Sequence, residues 1–87
     1  MAEITVSESN GSYDVTVAEG GSSTTHRVTL ATADYDRLHK GDETPKDLIR
    51  RSFEFLLTKE SKESILGSFN LTLIGQYFPE YEKTISQ

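Results

Sequence analysis

The chain of 87 residues contains no cysteine, which removes disulfide crosslinks, thiolate metal ligands and thiol nucleophiles together. It has no tryptophan and only two histidines, His26 and His39. Neither histidine belongs to an HxxxH pair, and no nucleophile elbow, P-loop or glycine-rich phosphate fingerprint accompanies them. Long apolar runs are also missing: nothing approaches the ~18 residues of a membrane span, and the opening "MAEITVSESNGS" has neither the basic nor the apolar region of a signal peptide. Positive charge is in deficit, nine Lys and Arg against fourteen Asp and Glu for a net charge of −5. The summed field therefore repels nucleic acid and anionic membrane surfaces. These absences lead to the expectation of a cytoplasmic, monomeric domain with no catalytic residues, no metal site and no cofactor.

Acidic residues are plentiful, but their spacing does not point to chemistry. The closest pairs, Asp34/Asp36 and Asp42/Glu43, fall at loop and cap positions, where carboxylates serve helix ends, and neither spacing matches a calcium loop. With 34% apolar residues, a chain this short buries only about 60–65% of the surface its unfolded form exposes. Every apolar side chain is in demand for one core.

The amino-terminal third reads as a sheet. "EITVSES", "SYDVTVA" and "THRVTLA" alternate apolar and polar residues and are rich in β-branched side chains, the signal of half-buried strands. Asn10-Gly11 is the preferred pair for a two-residue type I′ turn. That turn sets Ser9 opposite Ser12, Val6 opposite Val15 and Ile4 opposite Val17, the same register that the apolar face demands. "EGGSST" reads as a longer loop, with Val17 facing Val28 and Val15 facing Leu30. A three-stranded antiparallel meander with one dry face follows, and it needs a cover.

The cover is helical. "ATADYDRLHKGD" suits a short helix capped by Thr32 or Asp34, with Leu38 and Tyr35 turned inward and Gly41 at its end. "TPKDLIRRSFEFLLTKE" suits a longer one, with Thr44 as N-cap, Pro45 at N1 and Asp47 at N3. Its apolar arc, Leu48 to Leu57 including Ser52 and Phe53, spans roughly 200°, so it requires contacts on two flanks. The second contact is expected from the tail. Asn70 would cap a helix over 70–78, with Phe69 stapled onto Ile74, and a second helix would run over 79–85. Leu66, Phe69, Leu73, Tyr77, Tyr81 and Ile85 would then form one inward face. Proline at 79 forces Phe78 out of helical geometry.

The expected architecture is therefore α+β: a three-stranded antiparallel meander with one face covered by a long amphipathic helix and short C-terminal helices. It forms a single domain over 1–87, with the sheet in 1–31 and the helical cover in 32–87.

The phrases "SFEFLL", "ESIL" and "YFPEYE", with a phenylalanine and a leucine between the last two, resemble the carboxy-terminal half of a family of short, stand-alone prokaryotic proteins of unassigned function. The resemblance covers about Thr44 to Ile85. It implies a small cytoplasmic domain and brings no activity, cofactor or site residue with it.

Function is then a matter of surfaces. The leading expectation is a protein-interaction or regulatory module, acting through an open strand edge, the threonine-rich sheet face or an uncovered part of the aromatic tail, with Tyr77 and Tyr81 as contact residues. The alternative is a ribbon-helix-helix-like DNA-binding or antitoxin-type regulator built from residues 25–59. There Arg27 and Thr29 would face bases and Arg50 and Arg51 would approach phosphate. The acidic net charge, a short first helix and the preceding hairpin count against that alternative.

Overall fold

The computed structural model describes residues 2–86. Strands β1 (Glu3–Ser9), β2 (Ser12–Glu19) and β3 (Ser22–Thr29) form the meander, followed by helices α1 (Thr32–Leu38) and α2 (Pro45–Lys59) and a 3-10 turn at Lys62–Ser64. A fourth strand, β4 (Ser68–Asn70), then returns to the sheet before the short helices α3 (Leu73–Tyr77) and α4 (Tyr81–Ile85). Strand order is β1-β2-β3-β4.

The first hairpin has the register that its turn and apolar face jointly require. Val6 faces Val15, Ile4 faces Val17 and Ser9 faces Ser12, with Asn10 at φ 51° and Gly11 at φ 81°, the positive pair of a type I′ turn. The second hairpin departs from expectation. Gly20 and Gly21 also adopt positive φ, 64° and 83°, so "EGGSST" closes as a tight turn instead of a longer loop. Val17 consequently faces Thr24, Val15 faces His26 and Tyr13 faces Val28. The displacement of four residues from the expected Val17–Val28 pairing is even, so the apolar face of β3 is preserved.

That register carries His26 into the core. It is 2% exposed, its ring lies 5.4 Å from that of Phe53, and both ring nitrogens are engaged at 2.8 Å, Nε2 with the Thr24 hydroxyl and Nδ1 with the Leu66 carbonyl. A carbonyl only accepts, so Nδ1 donates to Leu66, and in the neutral ring Nε2 is then the acceptor for the Thr24 hydroxyl. His26 is a polar tie between the sheet and the segment leading into β4, a structural duty that its sequence context does not announce.

β4 corrects the three-strand expectation and the boundary at 31. It pairs parallel to β3, with Val28 beside Phe69, and the backbone bonds Arg27 N–H to Gly67 O (2.8 Å) and Leu71 N–H to Thr29 O (2.9 Å) extend the pairing at both ends. Asn70 ends this strand and does not cap a helix. Its Oδ1 accepts from the Thr72 N–H at 2.9 Å and from the Thr72 hydroxyl, a local turn of the kind asparagine favours. α3 therefore starts three residues later than the tail periodicity implies, and the inward set is rephased. Leu71, Ile74, Tyr81 and Ile85 are buried, whereas Leu66 and Tyr77 are exposed and Leu73 is only half-buried. Phe78 is extended, at φ −130°, as proline at 79 requires.

α2 spans the inner face. Thr44 and Asp47 form the reciprocal capping box with Pro45 behind it, which satisfies two otherwise orphaned N–H groups. One flank packs on β1 and the other on α4, with α1 beside it. Phe55 lies against the rings of Phe78 and Tyr81, at 6.1 and 5.5 Å. The N-cap position of α1 is Ala31, with no side-chain cap, so neither Thr32 nor Asp34 serves in that role; Leu38 is buried as expected.

One buried polar pair joins α2 to the tail. Ser52 donates to the Leu48 carbonyl (2.9 Å) and pairs with the Tyr81 hydroxyl (2.7 Å), and neither residue is exposed. Burial pushes the Tyr81 phenol up to about 12, the Ser52 hydrogen bond opposing it more weakly. An acid whose folded pKa is raised releases its proton more readily from the unfolded chain, so stability is full below pH 10 and falls as pH climbs towards 12. The decline attributable to Tyr81 should reach about 2–3 kcal/mol. Tyr81→Phe should cost ~1 kcal/mol at neutral pH and remove that alkaline decline; urea melts across pH 9–12 would check both.

Candidate interaction groove

The residues singled out for a DNA-binding surface do not converge. Arg27 and Thr29 are exposed on the polar face of β3, where Arg27 lies 3.4 Å from Asp14. α2, with Arg50 and Arg51, packs on the opposite, apolar face, so the sheet stands between the two pairs. β3 is paired on both sides, to β2 and to β4, and leaves no edge through which two copies could join by that strand.

Arg51 is a tie inside the domain. Its guanidinium grips the Glu43 carboxylate through two nitrogens and donates through Nη1 to the Ile85 carbonyl at 2.8 Å. It therefore links the α1–α2 connection, α2 and the end of α4. The hydrogen bonds from Arg51 hold the Glu43 carboxyl below the usual carboxylate range. This contribution is complete at neutral pH and is lost as pH falls through the lowered folded pKa. Arg51→Ala, which strands a carboxylate only 11% exposed, should cost about 2–3 kcal/mol. Arg50, exposed on the next position, should tolerate alanine within ~0.5 kcal/mol. Parallel urea melts of the two variants test the distinction.

Tyr81 is likewise removed from any contact surface by its complete burial. Tyr77 is different. At 64% exposed it is one of two large apolar side chains left open among the described residues, the other being Leu66 at 46%.

Both border the same groove, a concavity of about 430 Å³ between the end of α2, the 3-10 turn, β4 and α3. Leu56 supplies the α2 wall, Ile65 and Leu66 follow the turn, Phe69 comes from β4, and Leu73, Ile74, Tyr77 and Phe78 complete the α3 side. The groove is a direct product of the rephased tail. The Asx turn at Asn70 sends Leu71 and Ile74 inward, so Tyr77 and half of Leu73 are left facing out beside Leu66. Its size falls within the ~300–1,000 Å³ of ligand-binding clefts, and its lining is apolar apart from Glu60 and Ser64.

Glu60 is the groove's one charged lining residue. The nearest cations in sequence are engaged elsewhere: Lys59 reaches Glu80 at 3.0 Å and sits 5.5 Å above the Phe55 ring, and Lys62 pairs with Glu63 at 2.5 Å. Glu60 forms no ion pair among the described residues. Helical spacing points to Tyr77 as a contact residue but places Leu66 inward and singles out neither Glu60 nor Phe78 as a groove residue, because the face that α3 shows to solvent is set by the distant pairing of β4 with β3.

No cluster of three or more His, Asp or Glu able to hold a metal ion occurs among the described residues. No helix of the described residues is long and apolar enough to cross a membrane. No protein family, curated protein or solved structure matches this chain.

Proposed function

We propose that this domain is a non-catalytic protein-interaction module that receives an apolar segment of a partner in the groove between α2, β4 and α3. One observation carries the reading: both large apolar side chains left exposed among the described residues, Leu66 and Tyr77, border a single concavity. Scattered exposed apolar residues are ordinary, whereas apolar residues gathered around one cleft mark a binding surface. Of the tail's other aromatic residues, Tyr81 is committed to the core, while Phe69 and Phe78 are half-buried and line the same groove.

A neutral apolar dye, Nile red, gives a direct test. Saturable binding to the native domain is expected, with a large loss in the Leu66→Ser/Tyr77→Ser double variant and an unchanged melting transition, since both side chains are already exposed. Equal binding by the variant would reject the groove. Salt-dependent binding of duplex DNA by the same protein would instead favour the nucleic-acid reading.

A further inference from the structure

We infer that the groove selects an apolar peptide segment flanked by lysine or arginine, whose cation seats against Glu60 at the C-terminal end of α2. The inference rests on the groove being the interaction surface and adds the chemistry of its occupant.

Glu60 is the C-cap of α2, its N–H bonded to the Leu56 carbonyl at 2.9 Å. The end of a fifteen-residue helix carries a partial negative charge, where a cation is favoured and a carboxylate is disfavoured. Glu60 is thus the wrong sign for the stability of the isolated domain. Lys59, the basic residue of the last turn, does not offset it, because its ammonium is directed to Glu80 and the Phe55 face. Lys62 is only 7% exposed at its side chain and is committed to Glu63.

Glu60, a half-buried residue that lines the groove, therefore adds its negative charge to the helix-end potential beside an apolar cleft, and no cation among the described lining residues opposes it. The complement is a positive charge adjoining apolar side chains. A peptide fits better than a small amine, because Leu66 and Tyr77 continue the apolar surface outward past the cavity. On a chain with net charge −5, the same cation is also drawn to the surface at long range.

Stability and binding should trade against each other at this one residue. Glu60→Gln should raise the melting temperature by about 2–5 °C, since it removes the unfavourable charge at the helix end. The same change should weaken binding of a short amphipathic leucine–lysine peptide by about three- to tenfold. Glu8→Gln, an equal charge change on the exposed end of β1, should do neither.

Calorimetry with the leucine–lysine peptide and its leucine–glutamate counterpart, on the native chain and these variants, tests this. Preference for the lysine peptide that falls in Glu60→Gln but not in Glu8→Gln is the expected result. Equal binding of the two peptides, still lost in Leu66→Ser/Tyr77→Ser, would overturn the cation preference and leave the groove standing. Binding of neither peptide would overturn both.

Discussion

Deletion of residues 69–87 is expected to unfold the domain and leave an aggregating, dye-binding chain. The deletion removes Leu71, Ile74, Tyr81 and Ile85, each no more than 3% exposed, and each a side chain whose removal alone costs on the order of 2–5 kcal/mol. Their sum exceeds the ~5–10 kcal/mol on which a domain of this size depends. It also takes away the Leu71 bond to β3, the Tyr81 partner of Ser52 and the Ile85 carbonyl held by Arg51. Phe55 and Leu56, buried in the intact chain, would face water. Circular dichroism and sedimentation of the truncated chain measure this. A cooperative, soluble and unshifted melt would mean that the tail is not part of the core.

Phe53→Ala should be the most damaging single substitution of those considered, by about 3–5 kcal/mol. Phe53 has no exposed surface; its ring lies 5.4 Å from His26 and 6.0 Å from Phe69, so it fills the junction of α2 with β3 and β4. His26 is fixed at both nitrogens and β4 is fixed by its pairing with β3, so the surroundings have little freedom to collapse into the cavity. The midpoint of urea unfolding reports the loss directly. A change below ~1 kcal/mol would contradict the packing described.

Elements whose causes are local were legible from sequence. The Asn10-Gly11 turn and the Thr44–Asp47 capping box are each determined within a few residues, and both occur as read. Gly20-Gly21 is equally local, but the serines after it resemble loop composition, which lengthens the expected connection and shifts the expected register of β3 from the one it adopts. The even displacement still kept Val28 inside. β4 is different in kind. Three residues, Ser-Phe-Asn, have no period to detect, and they become a strand because β3 offers an unpaired edge that only the assembled sheet presents.

The legibility of the groove follows from that. Helical spacing grouped Leu66, Phe69, Leu73, Tyr77, Tyr81 and Ile85 on one face, but a strand and an Asx turn interrupt the helix phase between Phe69 and Leu73. The tail therefore divides into a buried set centred on Leu71, Ile74 and Tyr81 and an outward set around Leu66 and Tyr77. Of the six candidate contact residues, Tyr81 and Arg51 serve the interior, Arg27, Thr29 and Arg50 lie on other surfaces, and Tyr77 stands at the groove.

Amide chemical-shift changes in the intact domain, followed as the leucine–lysine peptide is added, would locate the surface that receives it. Perturbations should concentrate at Leu56, Glu60, Leu66, Phe69 and the residues of α3, with β3's polar face unmoved. Changes centred on Arg27 and Thr29, or along the outer edge of β1, with the groove silent, would contradict docking in the groove.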